Sequence, residues 1–578
     1  MKKLYCNILH RVNDPDELEA IRFQQNLAHE LGFRTTMHVS LQAMDYPDVI
    51  NFYKEQLHKY NDELGIHFHN LWSKEYTKTF GTNERLIAIY LKPFEDRKRI
   101  IDLVFEKFHT TFGFYPVSIG GYFFDAVTLA YIKEKYPSVK IATISCFEEG
   151  INMFAGCNYS WYVFSEGGPW TAYYPAKENS LCPAQNKDEA IDIIGVPHLS
   201  RDMLMSYLSR DDYFSSHTAN MQRGLLNEGK ECQYIYDFLD EWLKQEQYND
   251  VVYFNNYTGA GWLNDGRNYG APSEVSRDLY RQCLQYYREK ADEGILQVVT
   301  MSEYAKIHAA SYTFGKGEVN FWRDLACNSG RELIWYVDSF WRIALDPNCG
   351  GSLVDLRPYV GRVTQDLGPN SAQMWNGSYP FALNMLHRGA GLTASIGSTS
   401  LFGTRMHTDK VERTLDGAVR VSLKQIDLEN EQGNITVSAE YDFYPDGRIL
   451  LKKKLLAADD PDAIIPICET FKGTHGRTEY PEDIGNAVLS MQDPTSNTVE
   501  CKCSYNNRRF NMENAICATV SVPELSVSFS LEDMNGNNTA EVFEGTMFDP
   551  FYYISMTQKI RVGEESCICL KIRKLSQQ

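Results

Sequence analysis

No window of the chain approaches the run of about 18 apolar residues that a membrane-spanning helix requires, so no such helix is expected. The start, MKKLYCNILHRVNDPDE, carries two lysines but no secretory apolar core, because Asn7, His10, Arg11 and Asn13 interrupt it. Positive charge is in short supply: 57 Lys and Arg stand against 76 Asp and Glu, a formal net charge of −19. That balance argues against nucleic acid or an anionic membrane as the partner. The 14 cysteines contain no CxxC pair. Cys501-x-Cys503 and Cys567-x-Cys569 have the spacing of neighbours on one strand face, so buried, reduced thiols are expected and a zinc knot or disulfide framework is not. A cytoplasmic location is the expectation. The sequence also lacks GxxxxGK[ST], GxGxxG after a strand, HExxH and GxSxG, which sets aside the usual nucleotide enzymes and serine hydrolases.

What is present is a large globular core: 43% of the 578 residues are hydrophobic and 23% charged, with aromatics at 13%. Up to about residue 310, short apolar strands alternate with amphipathic helices. KLYCNILH, RTTMHVSL, ELGIHFHNL, PVSIGGYFF, KIATISCF, IDIIGVPHL, VVYFNNY and ILQVVT are the strand candidates. Between the first two, Asp14 and Pro15 suit a helix start and Gly32 a helix end. Strands and helices in alternation imply a parallel sheet with right-handed crossovers, and over this length a (β/α)7–8 barrel. Beyond that point the pattern turns to period two. GNITVSAEYDFYPDGRILLKKKLL holds a hairpin signal at YPDG, and the texture is that of a large β-sandwich. The expected division is 1–312 for the barrel and 313–578 for the sandwich.

In a parallel barrel the side chains at the C-terminal strand ends form the active site. His10 ends the first strand, His38 lies near the end of the second, and His67-x-His69 ends the third. Residues i and i+2 on a strand share a face, so both imidazoles of the pair could address one ion. Neutral imidazoles suit zinc, with a carboxylate such as Asp125 completing the set; contact with substrate hydroxyls and a structural role are the other readings of the pair. Asp125 follows the aromatic strand GGYFF, where a carboxylate is costly unless it pairs, binds a metal or does chemistry; the bland alternative is a helix cap. His198 ends a later strand, and Asn255 and Asn256 end VVYFNNY. The loop from Asn158 to Pro175 holds Tyr159, Trp161, Tyr162, Phe164, Trp170, Tyr173 and Tyr174, enough rings to line a cleft or to make a domain contact.

The order of strands through ELGIHFHNL and SIGGYFFD resembles the polysaccharide deacetylase superfamily and the barrel of retaining alpha-mannosidases. The resemblance implies that His67 and His69 stand at the deacetylases' metal histidines. It also implies that Asp125 stands at the mannosidases' nucleophile and metal ligand, and that a β-sandwich follows the barrel. The first strand departs from the deacetylases, with ILHRVND in place of paired aspartates, so His10 or Asp14 would have to substitute. A glycosidase needs a second carboxylate. Glu148, Glu149, Glu166, Asp202 and Asp265 are the candidates, and Asp265 is favoured because its loop carries Trp262 and Tyr269, which could stack on sugar faces. The expectation is therefore a carbohydrate-active hydrolase, a glycosidase with Asp125 and Asp265 catalytic. His198, Trp170, Asn256 and Trp262 would contact the carbohydrate, and a divalent metal such as zinc would sit at His67, His69 and His10. A metal-dependent sugar deacetylase and a non-catalytic carbohydrate-binding protein are the alternatives.

Overall fold

The computed structural model describes residues 3–82, 86–89, 92–121, 124–145, 168–208, 233–266, 272–325, 328–361, 383–384, 391–474, 487–523, 526–536, 538–546 and 548–575. The chain divides into two compact units, built chiefly from Met1–Phe314 and from Gly315–Asp324, Asn328–Val363 and Pro380–Gln578.

The first unit runs β1 (Lys3–Val12), α1 (Leu18–Glu30), β2 (Thr36–Ser40), α2 (Pro47–Tyr60), β3 (Glu63–His67), β4 (His69–Leu71), α3 (Lys74–Phe80), β5 (Leu86–Ala88), α4 (Phe94–Phe112), β6 (Ser118–Gly120), α5 (Ala126–Lys135), β7 (Ile141–Ser145), β8 (Ile194–Pro197), α6 (Met203–Leu208), α7 (Gln233–Lys244), β9 (Val251–Gly259), α8 (Ser273–Asp292), β10 (Leu296–Val298) and α9 (Met301–Ser311). Local chemistry sets many of these limits. Pro15 opens the short turn that leads into α1, and Gly32 lies beyond its end at φ 73°. Pro47 starts α2, and Asn61 stops it in the left-handed region at φ 56°. Thr300 and Glu303 form a reciprocal capping box on α9. Along α1 the residues Ala20, Ile21, Gln24, Leu27 and Ala28 are buried, an amphipathic stripe turned to the sheet.

β1 pairs in parallel with β9 along Lys3–Arg11, with β10 at Leu4–Cys6 and with β2 at Leu9–Val12. The sheet continues β2, β3, β6, β7, β8, all parallel. Between β8 and β9 the described residues form no ladder. Instead the Asn255 amide bonds to Ser200 Oγ at 2.8 Å, its carbonyl accepts Ser200 N–H at 2.9 Å, and its side chain donates to the carbonyls of Pro197 and His198 at 3.2 and 2.7 Å. The result is a nearly closed parallel barrel. Met301 and Tyr304 of α9 pack on Tyr5, Tyr253, Ile141, Ile194 and Val196, toward the N-terminal strand ends.

The second unit is all-β. Among the described residues it holds one sheet of 11 strands and another of 9, antiparallel throughout. The YPDG hairpin falls where the sequence pattern puts it, joining Gly433–Phe443 to Arg448–Ala458 through Gly447 at φ 80°. Side chains of both sheets share a core: Ile396, Ile465, Ile467 and Ile560 from one meet Ile435, Val437 and Leu455 from the other. No disulfide forms among the described cysteines, and Cys501 and Cys503 are buried.

Within that core Lys453 of one sheet pairs with Glu469 of the other, side chains 2% and 1% exposed, with the ammonium 4.6 Å from the Tyr441 ring centroid. Lys453→Met is expected to cost about 3–5 kcal/mol by stranding the carboxylate, while Lys453→Met combined with Glu469→Met recovers most of the loss. Denaturant midpoints of the three proteins check this.

Candidate functional site

The barrel sorts strand residues by parity. On β1 the odd positions turn inward: Asn7 donates to Asn255 Oδ1 at 2.9 Å, Leu9 clusters with Leu199 and Tyr257, and the Arg11 guanidinium lies 5.4 Å from the Tyr257 ring centroid. His38 on β2 and His67 on β3 also point inward, with ring centroids 6.1 Å apart. His198, just beyond β8, lies 5.7 Å from His67 and 4.4 Å from Tyr257, centroid to centroid. Arg11, His38, His67, His198 and Tyr257 are all buried.

Two glycines make room for this group. A Cβ on Gly120 would sit 2.5 Å from His38 Nδ1 and 2.9 Å from His67 Nδ1, and one on Gly65 would sit 2.8 Å from His38 Cδ2. The histidines occupy space that any larger residue would fill.

Protonation follows from the contacts. Arg11 Nη1 meets His67 Nε2, and a guanidinium can only donate, so Nε2 is the lone-pair nitrogen and the proton sits on Nδ1. Burial, with the Arg11 charge behind it, lowers the His38 pKa to about 3. Burial, then Arg11 and His38, holds His198 well below the ordinary imidazole range. His38 Nε2 lies 3.3 Å from Ser118 Oγ, and its Nδ1 has no partner among the described residues. The lumen thus presents uncharged imidazoles around one fixed guanidinium.

The Nε2 lone pair of His67 is already engaged by a cation, and among the described residues no three metal-ligating side chains converge. His10 is an even-numbered residue of β1 and turns outward, its Nε2 to Tyr280 of α8 and its Nδ1 3.0 Å from Gln25 of α1. The expected strand pair His67-x-His69 is corrected at the backbone. β3 ends at His67, Phe68 N–H bonds the Gly120 carbonyl, and His69 begins β4, which pairs with β5 in a separate sheet. The His69 side chain lies outside the described residues.

The other expected site residues are scattered. Asp125 is fully buried at the N-terminus of α5, where Oδ1 accepts Thr128 N–H at 3.1 Å and Oδ2 pairs with Arg97 of α4. Asp265 is exposed; its Oδ1 accepts Ser273 N–H at 2.7 Å at the start of α8, and that bond lowers its pKa. Asn256 shares its face of β9 with Phe254, which packs on Phe238, Trp242 and Tyr287, so it faces helices and not the lumen. Trp262 is half-buried in the turn after β9, and Trp170 is buried. Asp202 receives the Tyr234 hydroxyl at 2.5 Å and Leu204 N–H at 3.0 Å. Tyr174 packs on His308, Tyr312 and Phe314. Tyr122, Phe123, Glu148, Glu149, Tyr159, Trp161, Tyr162, Phe164, Glu166 and Tyr269 lie outside the described residues. Sequence reading missed Arg11 and Tyr257, because both faces of β1 and β9 are buried and alternation alone does not say which one turns inward.

A scan of protein families finds no match to the chain. No curated protein matches it either. Among solved structures, it is similar to a protein of Parabacteroides distasonis assigned provisionally as a glycoside hydrolase/deacetylase, at 16% identity and a TM-score of 0.46, covering 64% of this chain and 88% of that one. It is also similar to a 4-alpha-glucanotransferase of Thermococcus litoralis, at 10% identity and a TM-score of 0.30, covering 99% and 100%. A polysaccharide deacetylase, so assigned provisionally, from Mycobacterium smegmatis shares 12% identity at a TM-score of 0.32, covering 54% and 91%. Identities and scores this low say nothing about the reaction, which has to be read from the barrel's own side chains.

Two outcomes are expected from this geometry. Burial lowers the pKa values of His10, His38 and His308 from 6.5 to about 3. As pH falls through that window the unfolded chain takes up protons that the folded barrel refuses, so stability is full above 6.5 and declines below it. Each histidine contributes up to about 1.4 kcal/mol per pH unit, seen as a lower urea midpoint at about pH 5 than at about pH 7.5. Separately, Asp125→Asn keeps the cap but strands the buried Arg97 charge, with an expected loss of about 3–5 kcal/mol measured by chemical denaturation.

Proposed function

We propose that the chain is a carbohydrate-active hydrolase, a glycosidase whose active site is the C-terminal end of the barrel. The observation that carries this reading is the buried group of Arg11, His38, His67, His198 and Tyr257 at the ends of β1, β2, β3, β8 and β9. A neutral imidazole offers one donor and one acceptor, the complement of a sugar hydroxyl, which is both at once. Several of them around one fixed donor suit the vicinal hydroxyls of a pyranose, while the half-buried Trp262 offers a ring face nearby in sequence. A metal-dependent deacetylase is the weaker reading, because it needs the lone pair that His67 gives to Arg11.

The test is turnover of a panel of aryl glycosides and oligosaccharides, with reducing sugar and acetate measured in parallel. Release of reducing sugar is expected, and His67→Asn, folded by circular dichroism, is expected to lower kcat/KM by about 10²-fold or more. Release of acetate without reducing sugar would overturn the glycosidase reading in favour of the deacetylase. Tight sugar binding without either product would favour a non-catalytic carbohydrate-binding protein.

A further inference from the structure

We infer that Glu17 is the proton donor of the barrel mouth, the acid that protonates the departing glycosidic oxygen. This rests on the glycosidase reading and names a residue for which the sequence pattern held no signal.

Glu17 lies five residues beyond the end of β1, on the barrel's C-terminal side, in the turn that leads into α1. It is 9% exposed. Its Oε2 accepts the Asn13 N–H at 2.7 Å, which anchors the carboxyl group. Its Oε1 has no hydrogen-bond partner among the described residues, and a Cβ on Gly261 would sit only 2.5 Å from it. Gly261 belongs to the turn that follows β9, the strand paired with β1. The loops after two neighbouring strands thus hold one carboxyl oxygen fixed and leave the other without a partner.

The surrounding charges suit a donor. Burial raises the Glu17 pKa above the usual carboxyl range; the Asn13 N–H and the Arg11 guanidinium pull the other way, and Asp14 and Asp16 push with burial. The Tyr53 phenol of α2, which bonds the amide of Val12, feels the same carboxyl and stays neutral because burial raises its own pKa. A carboxyl group held protonated to higher pH next to a sugar-binding lumen is what acid catalysis requires.

In the step, the bond between the anomeric carbon and the glycosidic oxygen breaks with its electron pair going to oxygen, and that oxygen takes the proton of Glu17. The leaving alcohol departs neutral and Glu17 is left as carboxylate. Water supplies the new bond at the anomeric carbon, and the proton it releases restores the acid.

The test compares methyl and 2,4-dinitrophenyl glycosides of whichever sugar the panel shows to be turned over. Dinitrophenolate leaves without protonation, whereas methanol does not. Glu17→Gln is expected to lower kcat/KM by about 10³-fold on the methyl glycoside and by less than about tenfold on the dinitrophenyl glycoside. The wild-type rate should fall as pH rises through the Glu17 pKa, and the variant should lose that alkaline limb. An equal loss on both substrates, or no loss on either, would overturn the inference while leaving the glycosidase reading intact. A wild-type chain that cleaves neither substrate would overturn both. If Glu17→Gln does not fold, Glu17→Asp, which withdraws the acid by one methylene, is read on the same pair of substrates.

Discussion

The seam at Asn255 is the constraint on which the barrel interior depends. Where β8 and β9 approach, the described residues form no ladder, and one asparagine replaces it with both its backbone groups and its side chain. Its Oδ1 also receives Asn7 of β1, and Asn7 in turn accepts from Thr36 of β2, whose Oγ1 takes the first amide of α9. A single polar chain therefore runs along the neighbouring strands β9, β1 and β2 from the seam to α9. Buried polar networks of this kind are stable only when each member is satisfied, which ties the positions of four elements together. Because Asn255 also holds the carbonyl of His198, the same network aims an imidazole at the lumen.

With the barrel nearly closed, each strand has an inside and an outside, and adjacent residues meet different fates. Arg11 and His10 are neighbours in sequence; one reaches His67 in the lumen and the other reaches Tyr280 among the helices. Asn255 ties the seam while Asn256 faces the helix layer. The absence of side chains at Gly65 and Gly120 then lets two imidazoles lie across the interior. Desolvation keeps His38 and His198 neutral, so the charge of the group comes from Arg11. The Arg11 cation seated against the His67 lone pair engages that nitrogen in a hydrogen bond.

Asp125 and Glu17 illustrate how differently two buried acids are used. Asp125 spends both oxygens on the structure around it, an amide of α5 and the guanidinium of Arg97. Glu17 spends one oxygen on the Asn13 amide, and the space for the other is made by Gly261 in the turn after β9. Burial is common to both; the number of fixed partners separates them.

The residue pattern by itself determined the broad alternation of strand and helix periods before about residue 310, the period-two strands after it, and turn chemistry such as YPDG. It also placed His198 at the end of a strand, one residue beyond β8. What it could not decide was where β3 stops. Phe68 leaves the strand to bond Gly120, so His69 falls in another sheet and the i, i+2 argument ends one residue early. Nor could it decide which face of β1 or β9 turns inward, since both faces of a strand lined by helices and lumen are buried and their patterns look alike. The pairing of Arg97 with Asp125, the convergence of Arg11 on His67 and the packing of Glu17 Oε1 against Gly261 all join residues far apart in the chain. Such contacts exist only once tertiary packing fixes the distances, and that is why the candidate site became readable in the fold and not before.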